Sequence, residues 1–208
     1  MAKSTSDQLV EMLVDAGVKH IYAVTGDSLN EVNDAVRRNG KIKWIHVRHE
    51  EVGAYAAGAE GLLNGLGCCA GSSGPGHVHL INGLYDAQRS SAPVIAIAST
   101  IASSDYGSGS FQETNVHKLF ADCSHFVEVA TTPAQLPRML QFALQHAISK
   151  KGVSVLGLPG DLTKLDAVKS ATADHIYPTN PFIRPSDEEL NQLAAYLNKC
   201  NKITIFCG

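Results

Sequence analysis

The sequence lacks the features that mark secreted, membrane-spanning or nucleic-acid-binding proteins. Its 208 residues contain no basic run, and a net charge of −3 at pH 7 gives no footprint for nucleic acid or an anionic membrane. No apolar stretch is long enough to span a membrane, and the N-terminus lacks the apolar segment of a signal peptide. Five cysteines without C-x-x-C spacing disfavour a disulfide framework. We therefore expect a cytoplasmic protein with no nucleic-acid partner.

What the sequence does contain is an alternation of apolar β-type runs and helical patterns, which is typical of βα units around a parallel sheet. We predict an α/β fold with helices on both faces of the sheet. Strands are expected at residues 21–24, 42–46, 67–70, 94–98, 126–129 and 153–158. Helices are expected at residues 28–39, 50–66, 78–89 and 133–150, after a first helix that Ser6 or Asp7 caps and that ends near Asp15.

The pattern changes after residue 163, which indicates a domain boundary. Three prolines fall within residues 174–185, as in an interdomain linker. Ser186 and Glu189 form a capping-box pattern for a new helix, and residues 202–206 read as a strand. We predict a first domain at 1–168, a linker at 169–185 and the beginning of a second domain at 186–208. One helix and one strand cannot form a core, so we expect a fragment of a longer protein.

The most informative single position is Glu50, an acid at the start of a helix with very small side chains. Gly53, Gly58 and Gly61 lie inside that helix, and each interior glycine costs roughly 1 kcal/mol against alanine. Such a cost indicates close packing against a backbone or a ligand. The simpler alternative is that Glu50 only complements the helix dipole, a role that we assign to Glu51.

Glycine-rich loops follow the predicted strands, at residues 24–28, 70–76 and 107–112. Ligands in open α/β sheets bind at the carboxyl ends of strands, where such loops lie. None of these loops completes a dinucleotide fingerprint or a P-loop, and each alone is more often a plain turn. His77 and His79 lack further ligands nearby in sequence, so we predict no metal ligands in this chain.

Taken in order, several motifs resemble those of thiamine diphosphate-dependent enzymes, and the match is closest to bacterial quinone-linked, FAD-containing pyruvate oxidases. They lie at residues 48–52, 70–87, 107–113, 152–155 and 158–161. The resemblance implies three α/β domains, which bind the pyrimidine of the cofactor, FAD, and the diphosphate with Mg²⁺. This chain matches the first domain and the opening of the second, so by itself we expect it to be inactive.

The resemblance also implies roles for residues that would bind the cofactor. Glu50 matches the glutamate that hydrogen-bonds the pyrimidine N1′ and so favours the imino tautomer that deprotonates the thiazolium. Gly74, Pro75 and Gly76 match a loop near the pyrimidine. Gly26 belongs to a loop of the same half-site, and His79 would face the same pocket.

Three further residues match positions near the reacting carbon. Asp27 matches an active-site aspartate of pyruvate decarboxylases. Phe111 and Gln112 match a pair found in oxidases and acetohydroxyacid synthases. Simple decarboxylases have two adjacent histidines in that region, and their absence here argues against a non-oxidative decarboxylase.

The implied reaction is the oxidation of pyruvate, or a similar 2-oxo acid, to acetate and CO₂ with electrons passed to a quinone. The implied assembly is a homodimer or homotetramer in which the small-residue helix packs against its symmetry mate, with peripheral membrane association open for the full-length enzyme. The alternatives are an acetyl-phosphate-forming pyruvate oxidase, an acetohydroxyacid synthase-like enzyme, and a noncatalytic dimerisation module.

Overall fold

A computed structural model of the protein describes residues 3–172 and 182–206. The chain divides into two compact units, Met1–Pro178 and Thr179–Gly208. The first unit is an α/β fold around a six-stranded parallel sheet, so the predicted fold class is confirmed. Much of the predicted linker at 169–185, namely residues 173–181, lies outside the described residues.

The sheet has the strand order β2-β1-β3-β4-β6-β5, and every neighbouring pair is parallel. All six predicted strands are confirmed, with ends that differ by at most two residues. Strands β3, β4 and β6 are buried along their whole length, as expected when helices cover both faces of a sheet. The strands are β1 (His20–Ala23), β2 (Lys43–His46), β3 (Gly67–Gly71), β4 (Val94–Thr100), β5 (Phe126–Val129) and β6 (Val153–Pro159).

Eight α-helices lie in the described part of the chain. They are α1 (Thr5–Asp15), α2 (Asn30–Asn39), α3 (Glu50–Asn64), α4 (Pro75–His79), α5 (Ile81–Arg89), α6 (Val116–Phe120), α7 (Leu136–Lys150) and α8 (Asp187–Leu197). Short 3-10 turns precede α2 and follow β4 and β6. The five-residue α6 was not predicted, because one turn of helix has too little periodicity to recognise.

The two faces of the sheet carry separate apolar cores. Helices α1, α2 and α7 contribute Leu9, Val32 and Leu140 to the larger core. Helices α3, α5 and α6 contribute Ala54, Leu84 and Phe120 to the other. Alanine is the commonest residue of the second core, and such small side chains allow α3 to pack close to the sheet and to α5.

Two predicted helix boundaries are wrong, and both errors have local causes. Ser4, rather than Ser6 or Asp7, caps α1, and Asp7 completes the capping box as the third helical residue. The helix predicted at residues 78–89 is two helices, since a short helix begins earlier, at Pro75, and ends at His79, with Leu80 between it and α5. Pro75 occupies the first helical position, where a missing N–H costs nothing.

The glycines of α3 are explained by packing within the chain. A side-chain carbon at Gly61 would collide with the carbonyl oxygen of Pro93, and one at Gly53 would lie 3.1 Å from the carbonyl oxygen of Tyr22. A carbon at Gly58 would lie 3.3 Å from the Ala87 side chain on α5. The expectation that the small residues serve a symmetry mate is therefore wrong for these three positions, because two backbone carbonyls and the Ala87 side chain of the same chain already occupy that space.

A buried histidine joins α4 to the end of β4. His77 Nδ1 lies 2.8 Å from the carbonyl oxygen of Ser99, and Nε2 lies 2.6 Å from Thr114 Oγ1. Because a carbonyl only accepts, Nδ1 carries the proton and Nε2 accepts from the threonine hydroxyl. Burial lowers the pKa of His77, so the neutral form is the one that fits.

In the second unit, the helix predicted after Ser186 is confirmed as α8, with both hydrogen bonds of the capping box formed. The strand predicted at residues 202–206 is wrong, since these residues have no regular structure. A strand needs a neighbour to pair its backbone groups, and the described part of this unit offers none. Among residues 3–172 and 182–206, none of the helices is both long and apolar enough to cross a bilayer.

We predict that Gly61→Ala lowers the free energy of unfolding by about 1–3 kcal/mol, the usual cost of overpacking, although alanine is the better helix former. Urea unfolding of the chain measures this. Asn64→Ala, an exposed position on the same helix, is the control and should stay within about 0.5 kcal/mol of the wild type. A more stable Gly61→Ala variant would contradict the packing described above.

We also predict that His77 makes the fold acid-sensitive. Its folded-state pKa lies below the ordinary value, so the unfolded chain binds more protons and stability is lost as the pH falls below about 6.5. The free energy of unfolding should fall less between neutral pH and roughly pH 5.5 in His77→Gln than in the wild type. His117→Gln, an exposed histidine, controls for general histidine titration, and equal pH slopes in all three proteins would refute this role.

Candidate functional site

Loops that follow β1 and β3 come together at the carboxyl edge of the sheet. A side-chain carbon at Gly26 would collide with the side chain of Ser72, and one at Gly76 would press on the same hydroxyl. Ser28 Oγ accepts a hydrogen bond of 3.0 Å from the Ser73 N–H. The parallel strand order brings these ends together, because β1 and β3 are neighbours.

Glu50 lies at the centre of this edge as the first residue of α3. The residue is only 8% exposed, and a side-chain carbon at Gly76 would lie 3.3 Å from Glu50 Oε1. Among the described residues, His79 provides the hydrogen bond to this carboxylate. A buried carboxylate at a helix N-terminus is stabilised by the dipole, and its Oε1 faces bare glycine backbone.

Two histidines stand beside Glu50. His79 Nδ1 lies 3.2 Å from Glu50 Oε2 and, since the carboxylate accepts, donates to it. The ring of His49 stacks on that of His79 with the centroids 4.4 Å apart. His49 is also the N-cap of α3, where its Nδ1 accepts from the Glu51 N–H. Glu51 turns away to accept a hydrogen bond of 2.6 Å from Asn82.

A third loop, residues 107–113, packs onto the β3 loop. Gly74 has a positive φ of 67°. A side-chain carbon at this position would lie only 2.9 Å from the Cα atom of Gln112, so the backbone of Gln112 occupies the space that glycine leaves. Ser73 Oγ donates to Gln112 Oε1 at 3.1 Å. The carboxylate of Glu113 accepts from the N–H groups of Gly107 and Gly109 at 2.7 and 3.1 Å, which closes the loop on itself.

A cleft of about 430 Å³ opens beside this contact, and Asp27, Gln112, Asp161 and Lys164 are among the residues that line it. Asp27 is exposed, and its Oδ1 accepts from the Ser28 N–H. Burial would raise the pKa of Asp161, but hydrogen bonds from the side chain and backbone N–H of Ser103 outweigh it and lower that pKa. The cleft therefore has three carboxylates, those of Asp27, Asp105 and Asp161, and one lysine at its wall.

The structure thus arranges the predicted site residues in two groups. Glu50, His79 and Gly76 form one group, whereas Asp27 and Gln112 line the cleft, of which Glu50 and His79 are not part. Gly26 and Gly74 connect the two groups. Gly26 lies against the Ser72 side chain, and Gly74 lies against the backbone of Gln112. Pro75 starts α4, and the Phe111 side chain is 92% exposed.

Ser72 and His49 were not among the site residues predicted from the sequence. Ser72 fills the gap between two glycines, a relation visible only once β1 and β3 are adjacent. His49 lies thirty positions before His79 along the chain, and its ring is placed by its N-cap geometry. The one signal in the sequence that could have pointed to His49 is its position directly before Glu50, the acid that starts α3.

Comparisons with known proteins agree with this architecture. The family described as "Thiamine pyrophosphate enzyme, N-terminal TPP binding domain" matches residues 3–119. An uncharacterized 42.6 kDa protein of Pseudomonas amyloderamosa is 47% identical over 98% of the chain and 52% of its own length. A Bacillus subtilis protein, YdaP, whose name describes it as thiamine pyrophosphate-containing, is 39% identical over 100% of the chain and 37% of its own length.

A pyruvate oxidase of Lactiplantibacillus plantarum is 34% identical over 96% of the chain and 34% of its own length. The chain therefore spans about half, or about a third, of the length of these three relatives. The family match covers more than half of the 208 residues, and the six-stranded parallel sheet agrees with it. The chain belongs to the thiamine pyrophosphate enzymes and carries their N-terminal TPP binding domain.

Proposed function

We propose that the chain provides the pyrimidine half of the cofactor site in a thiamine diphosphate- and FAD-dependent pyruvate oxidase, with a quinone as electron acceptor. The observation that carries the proposal is the Glu50 carboxylate, which is almost buried and has one oxygen directed at bare backbone. No other acid among the described residues combines burial, a helix N-terminus and a glycine-lined approach.

The residues around Glu50 fit the aminopyrimidine ring of the cofactor. Gly76 leaves room beside Oε1, so a ring nitrogen that carries a proton can reach this oxygen. When bound, the cofactor supplies a carbanion next to the keto carbon and then an electron sink. The part of Glu50 is to hold a proton at the pyrimidine nitrogen, while His79 fixes Oε2 by its hydrogen bond.

The cleft beside the three loops suits a small 2-oxo acid such as pyruvate. The side-chain amide oxygen of Gln112 accepts a hydrogen bond from Ser73. This contact fixes the orientation of the amide and therefore of its N–H₂ group. Lys164 supplies a positive charge for a carboxylate, and Asp27 can exchange a proton with solvent because it is exposed. We assign Gln112 and Asp27 to the substrate and propose that Phe111 becomes covered only when further protein packs against it.

The FAD and Mg²⁺ of the proposed enzyme would be held by parts of the protein beyond the pyrimidine domain. The pyruvate oxidase of L. plantarum supports the choice of oxidase. An acetyl-phosphate-forming oxidase and an acetohydroxyacid synthase-like enzyme are the alternatives within the family. A noncatalytic pairing module is the alternative outside it, and the presence of Glu50 argues against that role.

We further propose that a second copy of the chain packs on α3. The buried glycines of α3 serve internal packing, but its opposite face exposes Val52, Tyr55, Leu62 and Leu63, with Leu63 at 83% exposure. The first three recur at spacings of three and seven residues, which places them on one face of the helix. The same helix begins at Glu50, so a partner packed on α3 would lie next to the cofactor site.

We predict that Glu50→Gln, in the protein extended to the length of its relatives, lowers pyruvate decarboxylation by roughly 10²–10⁴-fold because proton control at the pyrimidine is lost. Release of CO₂ from pyruvate measures this, with circular dichroism to verify folding. Glu51→Gln is the matched control, since the Glu51 carboxylate contacts Asn82 instead, and it should keep most of the activity. Near-normal turnover by Glu50→Gln would sink the proposal.

The same assay separates the alternatives by product. Acetate with a reduced quinone supports the proposed oxidase, acetyl phosphate with hydrogen peroxide indicates the first sister enzyme, and acetolactate indicates the second. Calorimetry with thiamine diphosphate and Mg²⁺ tests the noncatalytic alternative, which requires that no binding is observed.

For the assembly, we predict that the chain is a dimer in solution and that Leu62→Glu together with Leu63→Glu converts it to a monomer, because two charges would have to be buried in an apolar interface. Analytical ultracentrifugation measures the mass. Phe142→Glu, at a half-exposed apolar position on α7, is the control and should remain dimeric. A monomeric wild-type chain would contradict the assembly for this chain.

A further inference from the structure

His49, Glu50 and His79 form a cluster of three metal-ligating side chains that the proposed function does not need as a set. One ligand atom from each residue lies within 4.8 Å of the others. Two imidazoles and one carboxylate are the protein ligands of several zinc sites that keep one position open. Within residues 3–172 and 182–206, these three side chains form the one group of this kind.

The spacing between His79 and Glu50 suits a shared ion. Their Nδ1 and Oε2 atoms are 3.2 Å apart, and two ligands at about 2.0–2.1 Å from a tetrahedral zinc ion are about 3.3–3.4 Å apart. A cation would take the place of the proton between these atoms, and the neutral His79 ring would then carry its proton on Nε2. The contact then needs almost no movement of either side chain.

His49 is the third ligand, and its ring must turn out of its present stack on His79, because the nitrogen lone pairs of two nearly parallel rings do not converge on one ion. His49 is the N-cap of α3, and its ring is stacked on that of His79 at an interplanar angle of 22°. If Nε2 binds the ion, Nδ1 carries a proton and loses its bond from the Glu51 N–H. The Glu51 carboxylate, 3.8 Å from Nδ1, can then accept a hydrogen bond from this N–H, and Asn82 holds the carboxylate in place. Such carboxylate support is usual for ligating histidines.

Other histidine–carboxylate pairs in the described part of the chain lack this third ligand. His20 pairs with Glu60 at 2.7 Å, and His117 pairs with Glu128 at 3.3 Å. Neither pair belongs to a group of three ligating side chains within the described residues. The convergence at Glu50 therefore differs from an ordinary surface pair.

We propose that His49, Glu50 and His79 bind a divalent cation of the zinc class, with water in the remaining position. Imidazole nitrogen favours zinc and cobalt over magnesium, which prefers six oxygen ligands. Cation binding goes beyond the proposed function and does not require it. One consequence does rest on the proposed function: a cation on Glu50 and a pyrimidine hydrogen bond to Glu50 exclude each other.

The test is a titration of the tag-free, chelator-treated chain with cobalt(II), followed by displacement with zinc. We expect one equivalent per chain with the intense visible absorption of four-coordinate cobalt, and no competition by magnesium. His79→Ala and His49→Asn should each weaken zinc binding in calorimetry by more than the roughly 10- to 100-fold that loss of an outer hydrogen-bond partner costs. Asparagine keeps the N-cap of α3, so the second variant preserves the helix start.

His117→Ala is the matched control, because it removes a histidine paired with a carboxylate but not with a third ligand, and its zinc affinity should equal that of the wild type. Circular dichroism establishes that each variant is folded. The proposal is overturned if the cobalt spectrum is that of a six-coordinate ion, if His79→Ala or His49→Asn binds zinc as the wild type does, or if His117→Ala weakens binding equally. Since no cofactor is present, these outcomes are independent of the role of Glu50 in catalysis.

Discussion

Close approach of backbone at the loop of residues 71–76 is the constraint on which the rest of the structure depends. Gly71 lies against the backbone of α4, Gly74 lies beneath the backbone of Gln112, and Gly76 lies beside Ser72 and Glu50. At the first two positions the neighbour is backbone, which cannot rotate away as a long side chain can. The geometry of the site therefore depends on the absence of side chains at these three glycines. A side chain at any of them would push apart the loops and helices that carry the polar groups.

The electrostatic arrangement follows from that packing. Because α3 lies close to β1 and α5, its N-terminus places Glu50 at the carboxyl edge of the sheet, where the dipole stabilises a carboxylate. The same packing brings α4 near enough for His79 to donate to Glu50. The dipole role and the cofactor role of Glu50 are thus compatible, since the helix N-terminus favours a carboxylate at this position and the bare backbone of Gly76 leaves room beside Oε1. His77, which lies two residues before His79, is buried in its neutral form. Its hydrogen bond to the Ser99 carbonyl connects α4 to β4 and so stabilises the fold.

Much of the fold could be predicted from the sequence because the strong signals are local. Six strands follow from short apolar runs between turn residues, and α3 and α7 follow from long periodic segments. The predictions were wrong where several neighbouring residues could have taken the same structural role. Ser4, Ser6 and Asp7 are all capping residues, and only the position of the first helical turn decides among them. For residues 202–206 the apolar composition was right for a strand, but a strand is stable only with a neighbour.

The sequence by itself determined the fold class, the family and the position of Glu50 at the start of a helix, since each of these rests on residue order and local periodicity. Tertiary structure alone decided what the small residues of α3 pack against, that Ser72 fills the space between Gly26 and Gly76, and that His49 and His79 meet at one carboxylate. Glu50 and His79 are 29 positions apart, and no periodic pattern connects them. They meet because α3 and α4 both return to the same edge of a parallel sheet, which is a property of strand order and not of any segment of the chain.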